Sequence, residues 1–151
     1  MVVRGVSKKD IDDIYTIRFL LEGQAARWAA ERASEDDLND LRETLELMEL
    51  YTRRGDFRHL AQLDTRFHEA LYSACKSHVL HHTLALLHGH SALARLNSLQ
   101  TPSRAEKTLQ EHRNILNALE QHQADEAARL AEAHIARANQ NRNANATEGE
   151  Q

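Results

Sequence analysis

The sequence predicts an all-α fold, an antiparallel bundle of about six helices, and three observations carry that prediction. The 151 residues include one proline and five glycines, so few positions break a helix. Apolar residues recur at steps of three and four, as in LAQLDTRFHEALYSAC, where Leu60, Leu63, Phe67, Leu71 and Cys75 mark one face. The breaks between such stretches are short, so successive helices should pack as antiparallel neighbours.

The first helix is expected from about Asp10 to Ala33, introduced by the capping-box-like spacing of Ser7 and Asp10. Its apolar stripe is Ile11, Ile14, Leu21, Ala25 and Trp28, and Arg18 lies inside it. Ser34 caps the second, with Asp36 and Asp37 complementing the helix dipole. That helix continues through Leu38, Leu41, Leu45 and Met48 until Gly55 ends it. A third spans about Asp56–Lys76 and a fourth about His78–Leu99. SLQTPSR, with the only proline, reads as the clearest loop. The Ser103–Glu106 spacing then predicts a capping box for the fifth helix, ending near His122. The sixth is expected from about Asp125 to Asn141, and residues 142–151 read as a disordered polar tail. No repeat and no strand-like alternation is found.

Length points to one domain, residues 7–141. A single cysteine rules out an internal disulfide and suits a reducing, cytoplasmic setting. No apolar run approaches the roughly 20 residues of a membrane span. The formal charge of −4 makes a poor collector of phosphates, so these residues alone are not expected to grip nucleic acid.

Several polar residues fall on the apolar faces. Asp64 and His68 lie one turn apart on the third helix. His112 shares a stripe with Leu109, Leu116 and Leu119, and His134 with Ala127, Leu130 and Ala138. The turn between the last two helices centres near Gln123, eleven residues from each histidine. In an antiparallel hairpin equal distances mean equal height, here about 16 Å above the turn at 1.5 Å per residue. Three neutral imidazoles and one carboxylate converging inside a bundle would suit Zn²⁺, with Ni²⁺, Mn²⁺ or Fe²⁺ as alternatives. Any one of these histidines taken alone reads as an ordinary hydrogen-bonded core residue; the combination points to a divalent metal.

Most other histidines, in SHVLHHTLALLHGH, spread around the helix circumference and read as surface residues. His88 is the exception, sharing a stripe with Leu84, Ser91 and Arg95 and so able to line the same cavity. Arg18 and Arg95 either pair with a carboxylate such as Glu22 or bind an anionic ligand above the metal. An Asp/His₃ site with open positions could also activate water as a metal-dependent hydrolase, but no H-E-x-x-H or di-iron Glu-x-x-His pattern accompanies it.

Four segments together, DIDDIYTIRFLLEGQAARWAA, LDTRFHEALYSA, EHRNILNAL and AEAHIARA, resemble the ligand-binding C-terminal domain of FadR-type regulators in the GntR superfamily. The resemblance covers about Val6–Ala138. It implies a helical bundle that senses a small organic or sugar acid and pairs as a homodimer, rather than an enzyme. By motif it matches Asp64, His68, His112 and His134 to the family's metal ligands and Arg18 to an effector-facing arginine, with Arg95 a looser match. It places the chain with the metal-containing members rather than those that bind acyl thioesters without metal. It also implies DNA binding through an N-terminal winged helix-turn-helix domain, which these residues lack; residues 1–6 read as the end of an interdomain linker.

Overall fold

Ser7 starts the first helix as the spacing predicts. Its hydroxyl accepts from the Asp10 N–H, while the Asp10 carboxylate accepts from the Ser7 N–H. The computed structural model describes residues 5–148, with side chains described for 5–143. Among these are seven helices and no strand: α1 (Lys8–Arg32), α2 (Glu35–Arg54), α3 (Phe57–Ala74), α4 (His78–His90), α5 (Ala92–Leu99), α6 (Pro102–Glu120) and α7 (Ala124–Glu148).

Local chemistry sets most boundaries. Ser34 and Asp37 form a second reciprocal capping box, and Gly55 ends α2 at φ 67°, a left-handed conformation that favours glycine. The α3–α4 and α6–α7 turns instead place Lys76 and His122 at positive φ. Packing is antiparallel. α1 lies chiefly against α7, α2 against α3 and α6, and α6 against α7. The core is built from Leu41, Met48, Phe67, Leu71, Leu84 and Leu119 among others, all buried.

The α1–α7 seam is lined by small residues. Ala26 and Ala30, on the same α1 face as Gly23, and Ala128 and Ala131 on α7 are almost fully buried. Small side chains let the two backbones approach closely, and at Gly23 an added Cβ would meet the Glu132 side chain. Overpacking this seam is costly: Ala26→Leu should lower unfolding free energy in urea by about 1–3 kcal/mol.

Three expectations are corrected. The predicted fourth helix is two helices, broken at Ser91, whose N–H bonds the His88 carbonyl at i−3. The Ser91 hydroxyl and Arg95 also donate to that carbonyl, at 2.9 and 2.8 Å. Arg18 reaches Ser91 Oγ from α1 at 3.2 Å, a tertiary contact invisible to periodicity. The Ser103–Glu106 capping box is absent, because α6 starts two residues earlier, with Thr101 at the cap position and Pro102 preset for the first turn. Finally, α7 runs to Glu148 rather than ending at Asn141. Arg142 secures the extension to α1, donating to Asp12 at 2.5 Å and lying 5.0 Å from the Tyr15 ring centre. The remainder of the predicted tail, 149–151, and residues 1–4 of the predicted linker lie outside the described residues.

Candidate metal centre

Three imidazoles from three helices meet at mid-depth in the bundle. His68 on α3, His112 on α6 and His134 on α7 are buried, and one ring nitrogen from each lies within 4.8 Å of the others. Ring centres are 5.2 Å apart for His68–His112, 5.4 Å for His68–His134 and 4.9 Å for His112–His134. The α6–α7 hairpin therefore sets the two later histidines level, as their equal distance from Gln123 predicts. Phe67 stacks on His112 at 4.1 Å between ring centres and fixes its plane.

Asp64, one turn before His68, lies beside the three imidazoles. Its Oδ1 lies 3.4 Å from His112 Nε2 and 3.8 Å from His68 Nε2. Burial pushes the Asp64 carboxyl up, and neighbouring Arg95 pulls it back only in part. Arg95 Nε is 3.2 Å from Asp64 Oδ2, without the angle for a hydrogen bond. Burial, then repulsion from the neighbouring imidazoles, holds His68 well below the usual histidine range; burial and His134 do the same to His112. These groups are thus neutral imidazoles, the form that binds metals.

The donor set fits a divalent cation on a second observation. His68 Nδ1 and both nitrogens of His112 are buried without a hydrogen-bond partner. Each such orphan costs about 1–3 kcal/mol, and coordination would offset that cost at the one nitrogen each imidazole gives to a cation. Three imidazoles and a carboxylate match zinc, nickel, manganese and iron sites alike.

Around this group stand residues that periodicity alone did not assign. Glu111 accepts from His134 Nδ1 at 2.7 Å, and Arg104 forks onto its two oxygens at 3.2 and 3.3 Å. Burial pushes the Glu111 carboxyl up, but the His134 hydrogen bond and Arg104 outweigh it and leave it below its usual range. Behind His68, Glu22 Oε2 lies 3.9 Å from Nδ1. Glu22 also accepts from Tyr72 at 2.5 Å and twice from Arg18 at 3.1 Å. The sequence places Glu111 four residues before Ile115 and one turn after Lys107, on the flank of the α6 stripe.

Of the three residues expected to face an effector, Arg18 and Arg95 line a chamber beside the imidazoles and His88 packs next to His68. Arg18, Asp64, His68, Arg95, Arg104 and His134 are among the residues lining a chamber of about 30 Å³. Arg18 takes the carboxylate pairing with Glu22, and that pairing outweighs the burial that would lower its pKa. His88 is 1 % exposed, lies 4.6 Å from His68 between ring centres, and has neither nitrogen bonded. His78, His82 and His90 are exposed, as the circumferential pattern implies.

Comparison with known proteins agrees with the fold. Residues 13–137 match the family model described as the FCD domain. The chain is 28% identical over 138 residues to the uncharacterized HTH-type transcriptional regulator YdhC of Bacillus subtilis (strain 168), covering 88% of this chain and 60% of that protein. It is 31% identical over 116 residues to the galactonate operon transcriptional repressor of Escherichia coli (strain K12), covering 76% and 49% respectively. The solved structure of E. coli McbR/YncC superposes with a TM-score of 0.79 at 22% identity, over 90% of this chain and 69% of that one. This chain belongs to the FCD domain family, the effector-binding domains of GntR-family transcriptional regulators. Its named relatives are regulators, not enzymes. The chain spans about half to three-fifths of the length of the first two.

Proposed function

We propose that this domain senses a small carboxylate through a divalent cation held by Asp64, His68, His112 and His134. The observation that carries the reading is the convergence of three buried imidazoles, with His68 Nδ1 and both His112 nitrogens unpartnered, beside a buried carboxylate. Zinc is the first choice for the donor set, with nickel, manganese and iron as alternatives. The cation supplies a Lewis-acid binding point for one end of an anionic effector.

The residues around it do the selecting. Arg95 offers a guanidinium at the chamber wall, Arg18 holds Ser91 beneath it, and His88 presents an unbonded imidazole behind His68. A chamber of about 30 Å³ holds a water or an ion, not an organic or sugar acid. Effector binding therefore requires its wall to open. Helix α5 is the element suited to yield: it contributes Ala94, Arg95, Ser98 and Leu99 to the wall, and only Leu99 of its eight residues is buried. An effector that binds the open form shifts the population towards it. In a longer regulator that shift would reposition winged-helix DNA-binding domains, and DNA would be contacted only through them. A cytoplasmic homodimer is part of this reading, the exposed Leu20, Val79, Leu86 and Leu93 providing apolar surface for pairing. No helix among the described residues is long and apolar enough to cross a membrane.

The test is native mass spectrometry with elemental analysis on protein purified without a nickel column. One metal per chain is expected, and His134→Ala should leave it far below stoichiometric. Unchanged metal in His134→Ala, or a wild type that takes up none from excess Zn²⁺, would refute the assignment. A panel of sugar and organic acids, galactonate included, would then be screened on the loaded protein.

A further inference from the structure

Only one of the three clustered imidazoles is held from behind. His134 is bonded through Nδ1 to Glu111 at 2.7 Å, whereas His68 Nδ1 has Glu22 no nearer than 3.9 Å and no bond, and His112 has none on either nitrogen. Glu111 is itself immobilised. Arg104, two turns earlier on α6 and buried like it, takes both carboxylate oxygens, and Arg137 approaches from α7 at 3.7 Å. A carboxylate only accepts, so Nδ1 carries the proton of this bond, and in a neutral ring the lone pair then lies on Nε2. A bond to Nδ1 turns Nε2 away from Glu111 and into the chamber that His134 lines with Asp64 and His68.

We infer that Glu111, clamped by Arg104, is the positioning residue that selects the His134 tautomer and presents His134 as the preorganised arm of the metal site. This rests on the metal reading above. The physical reasoning is general: a carboxylate behind a metal-binding imidazole fixes its tautomer, restrains its ring and raises its basicity. Here one helix supplies both parts. Glu111 on α6 acts across the hairpin on His134 of α7, while its chain neighbour His112 turns into the cluster directly. The Arg104–Glu111–His134 chain therefore ties the geometry of α7 to that of α6 before any cation arrives. His68 and His112, lacking such partners, are the arms left to adjust.

Two readouts test this on the full chain. In metal-free protein, long-range ¹H–¹⁵N correlation of the imidazole nitrogens should show His134 protonated on Nδ1. Glu111→Ala should lose that preference, and Glu111→Gln, whose amide oxygen still accepts, should retain it. In competition with a chromophoric chelator, Zn²⁺ affinity should fall about 10–100-fold in Glu111→Ala and by less in Glu111→Gln. Circular dichroism in chelator separates loss of the site from loss of the fold, and the isosteric Gln variant keeps the test open should Ala unfold. Zn²⁺ affinity within threefold of wild type in Glu111→Ala, with His134→Ala still losing the ion, would overturn the positioning role and leave the metal site standing. An Nε2-protonated His134 in the wild type would overturn it as well. A wild-type chain that binds no Zn²⁺ would remove both.

Discussion

Chelator-stripped protein should gain about 4 kcal/mol of unfolding free energy when free Zn²⁺ is raised to a thousand times its dissociation constant. For a domain of this length that is a rise in melting temperature on the order of 10 °C. Mass action sets the size of the effect, and the polar groups left unmet in the metal-free cluster give the cation its reason to bind. His68 Nδ1 and both His112 nitrogens have no partner, and burial pushes the Asp64 carboxyl up, so the folded chain carries polar groups it cannot satisfy internally. A cation bound only by the folded state relieves that cost at the one nitrogen each imidazole offers it and adds its binding free energy to folding. Scanning calorimetry with and without chelator measures the shift directly. His112→Ala should abolish it, while His90→Ala, which removes an exposed imidazole on α4, should leave it intact. A melting temperature unmoved by either Zn²⁺ or chelator would reduce the cluster to core packing.

The features that placed these candidate ligands were legible in the sequence because they are periodic. Asp64 and His68 fall on the stripe of Leu60, Phe67 and Leu71, and all five are buried. Equal spacing from Gln123 placed His112 and His134 at one height, and their rings lie 4.9 Å apart. What the sequence did not disclose depends on contacts between distant elements. The break at Ser91 coincides with Arg18, 73 residues earlier, bonding its hydroxyl, and with Arg95 and Ser91 both donating to the His88 carbonyl. The extension of α7 past Asn141 follows from Arg142 finding Asp12 and Tyr15 on α1. Asparagines at alternate positions from Asn139, weak in helix propensity, are carried by that tertiary anchor. The pairing of Glu111 with His134 was hidden for a related reason. A charged residue beside a ligand reads as solvated surface until the facing helix is known.

Acid should destabilise the metal-free chain steeply, and His88 allows the cause to be isolated. Burial first, then neighbouring cations and imidazoles, holds His68, His88 and His112 well below the usual histidine range. In the unfolded chain the same three groups titrate near 6.5. Below that pH the unfolded state therefore binds up to three more protons than the folded one, and stability is lost as pH falls. The slope approaches about 4 kcal/mol per pH unit for three groups, and the loss from pH 6.5 to 5.5 is about 3 kcal/mol. Asp64 works in the opposite sense, because its raised pKa lets the folded state keep a proton that the unfolded state has released. One group against three leaves acid destabilisation the winner. Urea denaturation in chelator at pH 7.5, 6.5 and 5.5 reads the slope. His88→Leu should cut it by about one third, since one proton-linked group is gone and an apolar side chain takes the place of an imidazole whose nitrogens are both unbonded. Equal slopes for His88→Leu and wild type would show that His88 is protonated or solvated in the folded chain. Zn²⁺ should oppose acid most strongly where the cluster is neutral, and its protection should fade as protons compete for His68 and His112.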